Sequence, residues 1–350
     1  MSEGLQGPKL SKTPATRQGR RRVPPRTVRR LLLWAAAFYL VPLVGLAAFQ
    51  RQLVFNAAYS RQWGASDKLA LPPGARRVFL TTAAGDRVTA YAGRALRADG
   101  TPDPDAAIRP TLLFFYGKGG SLAGCRTWFD SFRRLDLNVL MPDYVGFGQS
   151  GGQESEANCE MTARAAYDCA RAQPDANPKA IIIAGYSLGS GVAVDLASRE
   201  LSEGKPVAGL AVFAAYTSLA DEAHRQYPIY PAFLLHLLLR SPFASESKMP
   251  RVTCPVLLVH SRADRLIPFW MAERLAAASG GPVTRLTITR ADHADYFRVE
   301  GRAVFGALGR FIVKATPHET QQEPERRSAA NRIRAARTLP QAPHFRSALP

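Results

Sequence analysis

Gly185-Tyr186-Ser187-Leu188-Gly189 decides how this chain is read. The apolar run Ala180-Ile181-Ile182-Ile183-Ala184 precedes it and has the composition of a buried parallel strand. Ser190-Gly191-Val192-Ala193-Val194-Asp195-Leu196-Ala197 follows and has the composition of a helix. A turn that passes this sharply from strand to helix leaves no room for side chains two before and two after the serine, so both positions are glycine. The serine is forced into a strained backbone and raised above the sheet edge. The next amide, Leu188, falls at a helix N-terminus, where it can donate to a developing oxyanion. G-x-S-x-G alone is a common string; the strand before it and the helix after it make this one a nucleophile elbow.

A serine of this kind needs a base, and the base needs a carboxylate to hold its tautomer. Folds with this elbow place the acid after the serine and the histidine last. Downstream, the strand-like run Pro255-Val256-Leu257-Leu258-Val259-His260 leads into a loop with Asp264 near its centre. The run 283–289 ends in Arg290-Ala291-Asp292-His293-Ala294-Asp295. Asp264 and His293 therefore each follow the C-terminal end of a strand, the edge where open α/β sheets carry their sites. Of the other five histidines, His318 and His344 lie in a polar tail, His224 and His236 precede the acid, and His260 ends a strand, where core packing is its expected role. Asp292 and Asp295 flank His293, but Asp292 is its sequence neighbour and is poorly placed to reach its ring. Ser187, Asp264 and His293 are the expected catalytic set.

These residues carry a family resemblance. With Tyr116-Gly117-Lys118-Gly119-Gly120 after the third strand and Asp143-Tyr144-Val145-Gly146-Phe147-Gly148-Gln149-Ser150 after the fourth, the chain resembles the α/β-hydrolase superfamily from about residue 49 to about residue 314. Within it, the chain is similar to the small-cap, membrane-anchored α/β-hydrolase-domain proteins of the serine esterase and thioesterase type, in which a segment like Gln50-Arg51-Gln52-Leu53-Val54-Phe55 leads into the domain. The resemblance implies an oxyanion hole built from the Leu188 amide and an amide of the strand-three loop, Lys118 or Gly119. It departs in two places: Tyr116-Gly117-Lys118 stands where the family has His-Gly-Asn, and Val145 where arginine is usual. Because the hole uses backbone N–H groups, the first change need not destroy it, but it brings a lysine charge near the cleft.

The rest of the chain fits an α/β-hydrolase fold, a mostly parallel eight-stranded sheet with helices on both faces. Strand-like runs fall at 77–81, 87–92, 111–116, 138–141, 180–184, 209–213, 255–260 and 283–289. Helical patterns fall between them at 122–135, 155–172, 188–201, 270–278 and 296–313. A domain over 51–314 is large enough for one substantial core. The cap of such folds is expected at about 218–253, short enough to leave an open site. Its centre, 231–239, is apolar nearly all round. That composition suits a helix packed on the domain, an acyl-binding wall or a face touching lipid. Tyr186, Phe233, Leu234 and Leu237 are the candidate substrate contacts.

The ends have a different composition. Of the net charge of +18, residues 1–30 contribute +8 and residues 315–350 contribute +3, leaving +7 for the middle. Both tails are polar and rich in proline or small residues, so both are expected to be disordered. No nucleic-acid module accompanies the charge, so solvated tails are expected rather than a nucleic-acid site. Between tail and domain, residues 31–50 read LLLWAAAFYLVPLVGLAAFQ, with no charged side chain. At about 1.5 Å per residue this helix would span about 30 Å, the hydrocarbon thickness of a bilayer. The arginines before it place the N-terminus in the cytoplasm and the domain outside. The expectation is an uncleaved, single-pass signal anchor; the alternative is secretion after cleavage in the Gly45-Leu46-Ala47 region.

No Cys/His grouping has metal-ligand spacing, no cofactor is expected, and Gly146-Phe147-Gly148-Gln149-Ser150-Gly151 opens no βαβ unit of the dinucleotide type. The pairing state of Cys125, Cys159, Cys169 and Cys254 is left open, as are protein partners, although Cys159 and Cys169 on one helix would be about 15 Å apart and unable to bond. Two functions remain: a membrane-anchored serine hydrolase cleaving an ester or thioester of a small or lipid-like acyl substrate, and a non-catalytic binding protein on the same fold.

Overall fold

The computed structural model describes residues 25–64, 71–173 and 176–316. The expected tails, apart from residues 25–30 and 315–316, lie outside the described residues. The chain divides between Ala48 and Phe49 into two units. The first contains most of helix α1 (Pro25–Phe55), which carries Pro42 inside it. Its most apolar 18 residues have a mean hydropathy of 2.2 and only 6% of them are buried; Trp34 and Phe38 are exposed. By length and composition this helix can cross a membrane.

The second unit is built on a sheet of eight strands: β1 (Ala75–Thr81), β2 (Arg87–Gly93), β3 (Thr111–Phe115), β4 (Asn138–Pro142), β5 (Ile181–Tyr186), β6 (Gly209–Phe213), β7 (Val256–Ser261) and β8 (Val283–Ile288). Their order across the sheet is β1-β2-β4-β3-β5-β6-β7-β8. β2 runs antiparallel to β1 and β4, and all other neighbours are parallel. Every residue of β3 to β7 is buried, as a parallel sheet covered on both faces requires. β1 and β8, at the edges, alternate with solvent.

After α1 come α2 (Ala57–Gly64), α3 (Arg126–Arg133), α4 (Glu156–Ala172), α5 (Leu188–Ser202), α6 (Leu219–Gln226), α7 (Ala232–Leu238), α8 (Ser245–Lys248), α9 (Phe269–Ala278), α10 (Tyr296–Val299) and α11 (Gly301–Ala315). Two packed groups stand out among them. Phe132 of α3 meets Phe297 of α10 and Phe305 of α11. α4, α5, α8 and α9 pack against one another in series. Ser155 begins α4 by accepting the Asn158 amide, which is the side-chain cap its position suggests.

The helix expected over 296–313 is two helices. Glu300, at φ −124°, separates α10 from α11. Its carboxylate instead accepts the amides of Thr289, Arg290 and Ala291 at 3.1, 2.8 and 3.0 Å. The break at Glu300 coincides with its side chain reaching three successive amides of the loop after β8.

The elbow is set by backbone contacts. A Cβ on Gly185 would lie 2.0 Å from the Gly189 carbonyl oxygen, and one on Gly189 would lie 2.1 Å from the carbonyl oxygen of Phe115 in β3. Ser187 between them has φ 53° and ψ −121°, a region that costs a residue with a side chain about 1–3 kcal/mol. Ile181, Ile182 and Ile183 are fully buried just before it. At about 1.5–3 kcal/mol each, their burial outweighs that strain.

Candidate active site

The C-terminal ends of β3, β5, β7 and β8 bring the sequence-predicted residues to one edge. Ser187 Oγ lies 2.9 Å from His293 Nε2, and His293 Nδ1 lies 2.9 Å from Asp264 Oδ2. An ionised Asp264 can only accept, so Nδ1 carries the proton and Nε2 is left to accept from the serine hydroxyl. The other Asp264 oxygen accepts the Leu266 and Ile267 amides at 2.9 and 2.8 Å. Burial pushes the Asp264 pKa upward, but the hydrogen bond and charge of His293, with the Ile267 amide and the Tyr296 hydroxyl, outweigh it. The carboxyl is held below its usual value, so it is ionised at neutral pH.

Around this chain lie groups that sequence reading missed. Tyr296 donates its hydroxyl to Asp264 Oδ2 at 2.8 Å and accepts the Ser261 amide at 2.9 Å. The Ser261 hydroxyl in turn donates to the Ala291 carbonyl. Glu300 gathers the three amides just before His293. Asp292 Oδ1 accepts the amides of Arg265 and His293 at 3.0 and 2.7 Å, tying the acid loop to the base loop. Nothing in the spacing of Tyr296 or Glu300 marks them; only their position shortly after His293 could have drawn attention. His260 is fully buried, with Nε2–H donating to the Ile267 carbonyl at 2.8 Å, beneath the acid loop.

On the oxyanion side, neither the Leu188 nor the Lys118 amide donates a hydrogen bond among the described residues. The Gly119 amide is committed: it donates to the Phe55 carbonyl at 3.0 Å. Of the two strand-three-loop amides expected there, Lys118 is therefore the one free to serve. Its side chain does not enter the cleft as a loose charge. Nζ donates to the Leu53 carbonyl at 3.1 Å, in the last turn of α1, where a cation meets unpaired helix carbonyls. Burial lowers its pKa from the usual lysine value.

Tyr116, where the family has histidine, is fully buried and donates to Asp143 Oδ1 at 2.6 Å, while Tyr144 donates to the Tyr116 carbonyl at 2.6 Å. Asp143 also accepts the Leu122 and Gln149 amides, so it joins the loops after β3 and β4. Val145 is fully buried. Burial raises the Cys125 thiol well above its usual pKa and pushes the Cys254 thiol up to about 12, so neither is a reactive thiolate near neutrality; all four cysteines are unpaired.

The cap candidates fare unevenly. Tyr186 is a brace, not a wall of the cleft: it is 5% exposed, packs on Trp128, Tyr296 and Phe297, and donates to the His293 carbonyl. α7 is no packed core helix. It buries Leu235, leaves Leu234 half-buried, and exposes Phe233 and Leu237 at 73% and 78%.

The chain has the α/β-hydrolase fold. A profile of the alpha/beta hydrolase fold matches residues 110–235, a stretch that includes the elbow. The uncharacterized protein Rv2307c of Mycobacterium tuberculosis is 29% identical over 265 residues, 76% of this chain and 88% of that one. The lysophosphatidylserine lipase ABHD12 of Rattus norvegicus is 29% identical over 185 residues, 49% of this chain and 46% of that one, so the chain spans under half the length of that lipase. Among solved structures, an alpha-beta hydrolase from Vibrio vulnificus superposes with a TM-score of 0.55 at 22% identity, over 69% of this chain and 81% of that one. The Pyrococcus furiosus esterase Pf2001 does so with a TM-score of 0.53 at 17% identity, over 69% and 92%.

Asp264 links the site to stability. Its folded pKa lies below the reference value of 3.8, so it contributes stability that is present above that value and is lost as pH falls through the lower, folded value. Asp264→Asn is expected to lower Tm at neutral pH and to flatten the acid limb of a Tm-versus-pH curve below about pH 4 relative to wild type. Thermal melts across that range measure this; parallel acid limbs in the two proteins would contradict it.

Proposed function

We propose that this protein is a membrane-anchored serine hydrolase that cleaves an acyl ester or thioester through an acyl-enzyme on Ser187. One observation carries the reading: an unbroken line of 2.9 Å contacts from Ser187 Oγ through His293 to a buried Asp264, beside two amides, Leu188 and Lys118, that donate no hydrogen bond among the described residues. In the proposed reaction, Ser187 Oγ attacks the acyl carbonyl while His293 Nε2 takes the hydroxyl proton. The imidazolium so formed is stabilised by Asp264, and the oxyanion is held by the Leu188 and Lys118 amides. His293 then protonates the leaving alcohol or thiol. Water, deprotonated by His293, releases the acid and restores Ser187.

A lipid-like acyl substrate is supported from two directions. One relative is named a lysophosphatidylserine lipase. Phe233 and Leu237, four residues apart on α7, present an exposed apolar face of the kind that meets lipid. Tethering such an enzyme to a bilayer raises the effective concentration of membrane-borne substrate without any new contact. We assign the domain to residues 51–314 with its cap at about 218–253, the anchor to residues 31–50, and basic tails to both ends.

Two outcomes are expected. Ser187→Ala should reduce hydrolysis of p-nitrophenyl butyrate by several orders of magnitude with Tm preserved, and His293→Ala should be nearly as severe, because members of such a unit act together. Turnover persisting in folded Ser187→Ala would contradict the mechanism and favour a binding role. A topology reporter fused after Lys314 should read the outer side of the membrane, as the arginines preceding residue 31 require. A cytoplasmic signal would reverse the orientation, and a soluble product starting near Ala48 would show cleavage.

A further inference from the structure

The segment that follows the apolar helix is bonded throughout to the loops that carry the proposed oxyanion donor. Asn56, at φ 50°, ends α1 in the left-handed conformation that asparagine tolerates better than most residues. The carbonyls released at that end turn outward, and those of Leu53 and Phe55 receive Lys118 Nζ and the Gly119 amide. One turn later the Ser60 hydroxyl, fully buried, donates to the Gly120 carbonyl and accepts the Gly148 amide at 3.0 Å. Arg61 donates to the Gly146 carbonyl at 2.7 Å.

The loop these groups hold is a four-residue turn. The Gly120 amide closes onto the Gly117 carbonyl at 3.1 Å, with Gly119 at φ 68°. The Gly117 carbonyl and the Lys118 N–H belong to one planar peptide unit, so closing the turn fixes the direction of the Lys118 N–H. Gly117 sits directly beside the nucleophile: a Cβ there would lie 3.2 Å from Ser187 Cβ. The turn has two further backbone ties, Gly119 N–H to Phe55 and Gly120 C=O to Ser60, and both come from this segment.

Building on the reading of Ser187 as nucleophile, we propose that residues 53–61 form a positioning strap for the oxyanion loop, with Ser60 its positioning residue. Ser60 touches no reacting atom. Its one hydroxyl joins the loop after β3 to the loop after β4 and uses both its donor and an acceptor site to do so. Without it, the Gly120 carbonyl and the Gly148 amide are left without that partner and the turn relaxes. The Lys118 N–H then drifts from where the oxyanion forms. That charge exists only in the transition state, so the loss falls on kcat rather than on KM.

The test uses the full chain, p-nitrophenyl butyrate, and an alkyl trifluoromethyl ketone, which adds to a nucleophilic serine and places an oxyanion in the hole. Ser60→Ala is expected to lower kcat about 10–100-fold with KM changed less than about 3-fold, and to weaken the ketone in step with kcat/KM. Lys118→Met, which keeps the backbone amide and removes the tie to Leu53, is expected to lower kcat about 2–10-fold in the same pattern. Wild-type kcat and ketone affinity in folded Ser60→Ala would overturn the strap. Should that variant not fold, wild-type values in Lys118→Met would overturn it. Ser187→Ala runs alongside: activity surviving there removes the nucleophile assignment, whereas its loss with Ser60→Ala unaffected removes the strap alone.

Discussion

The constraint on which the rest of the site depends is the approach of the elbow to β3. The Gly189 Cα faces the Phe115 carbonyl so tightly that a methyl group there would sit 2.1 Å from the oxygen. This contact packs the start of α5 on the centre of the sheet, and with Gly185 it leaves Ser187 at φ 53°. From that point the serine hydroxyl reaches His293 Nε2 at 2.9 Å, and Leu188 begins α5 directly after it. Asp264, His293 and the loop after β3 are arranged around a position fixed by backbone packing, not by any side chain.

Around the fixed serine, the other parts are held by polar groups with several partners each. Asp264 accepts from His293, Tyr296, Leu266 and Ile267. Asp143 accepts from Tyr116, Leu122 and Gln149. Glu300 accepts three successive amides. Carboxylates taken out of water are costly unless they are bonded, and here Asp264 and Asp143, both buried, and the half-buried Glu300 are each bonded by a loop that must be placed. The same bonds that offset desolvation therefore position the site. The replacement of the family's loop histidine by Tyr116 fits this pattern, since the phenol is a core strut to Asp143 and leaves the backbone amides of its loop unchanged in kind.

Much of this was legible in the sequence because it follows from periodicity and chain order. The apolar runs around Ile181, Leu210 and Val256 are buried strands because parallel strands covered on both faces carry no alternation. The elbow announces itself through two glycines. The order Ser187, Asp264, His293 selected one histidine of six, and the fold brings those three side chains together. What stayed hidden were contacts between residues distant in sequence. Glu300 interrupts a helix that its pattern continues, and its side chain is bonded to a loop after β8 that the pattern does not mark. Lys118 reads as a charge beside the cleft, yet it ends on a carbonyl of α1. Gly119 reads as an oxyanion donor, yet its amide is taken by Phe55. Ser60 carries no local signal, since one buried hydroxyl between two loops has neither period nor motif.

Every step of the proposed reaction requires Ser187 Oγ to bond to the substrate carbon. The most direct measurement is peptide mapping by mass spectrometry after reaction of the full chain with a fluorophosphonate. One stoichiometric phosphonyl adduct is expected, on Ser187 within the peptide from Ala180 to Arg199. An unmodified chain, or an adduct on another residue with Ser187 untouched, would contradict it.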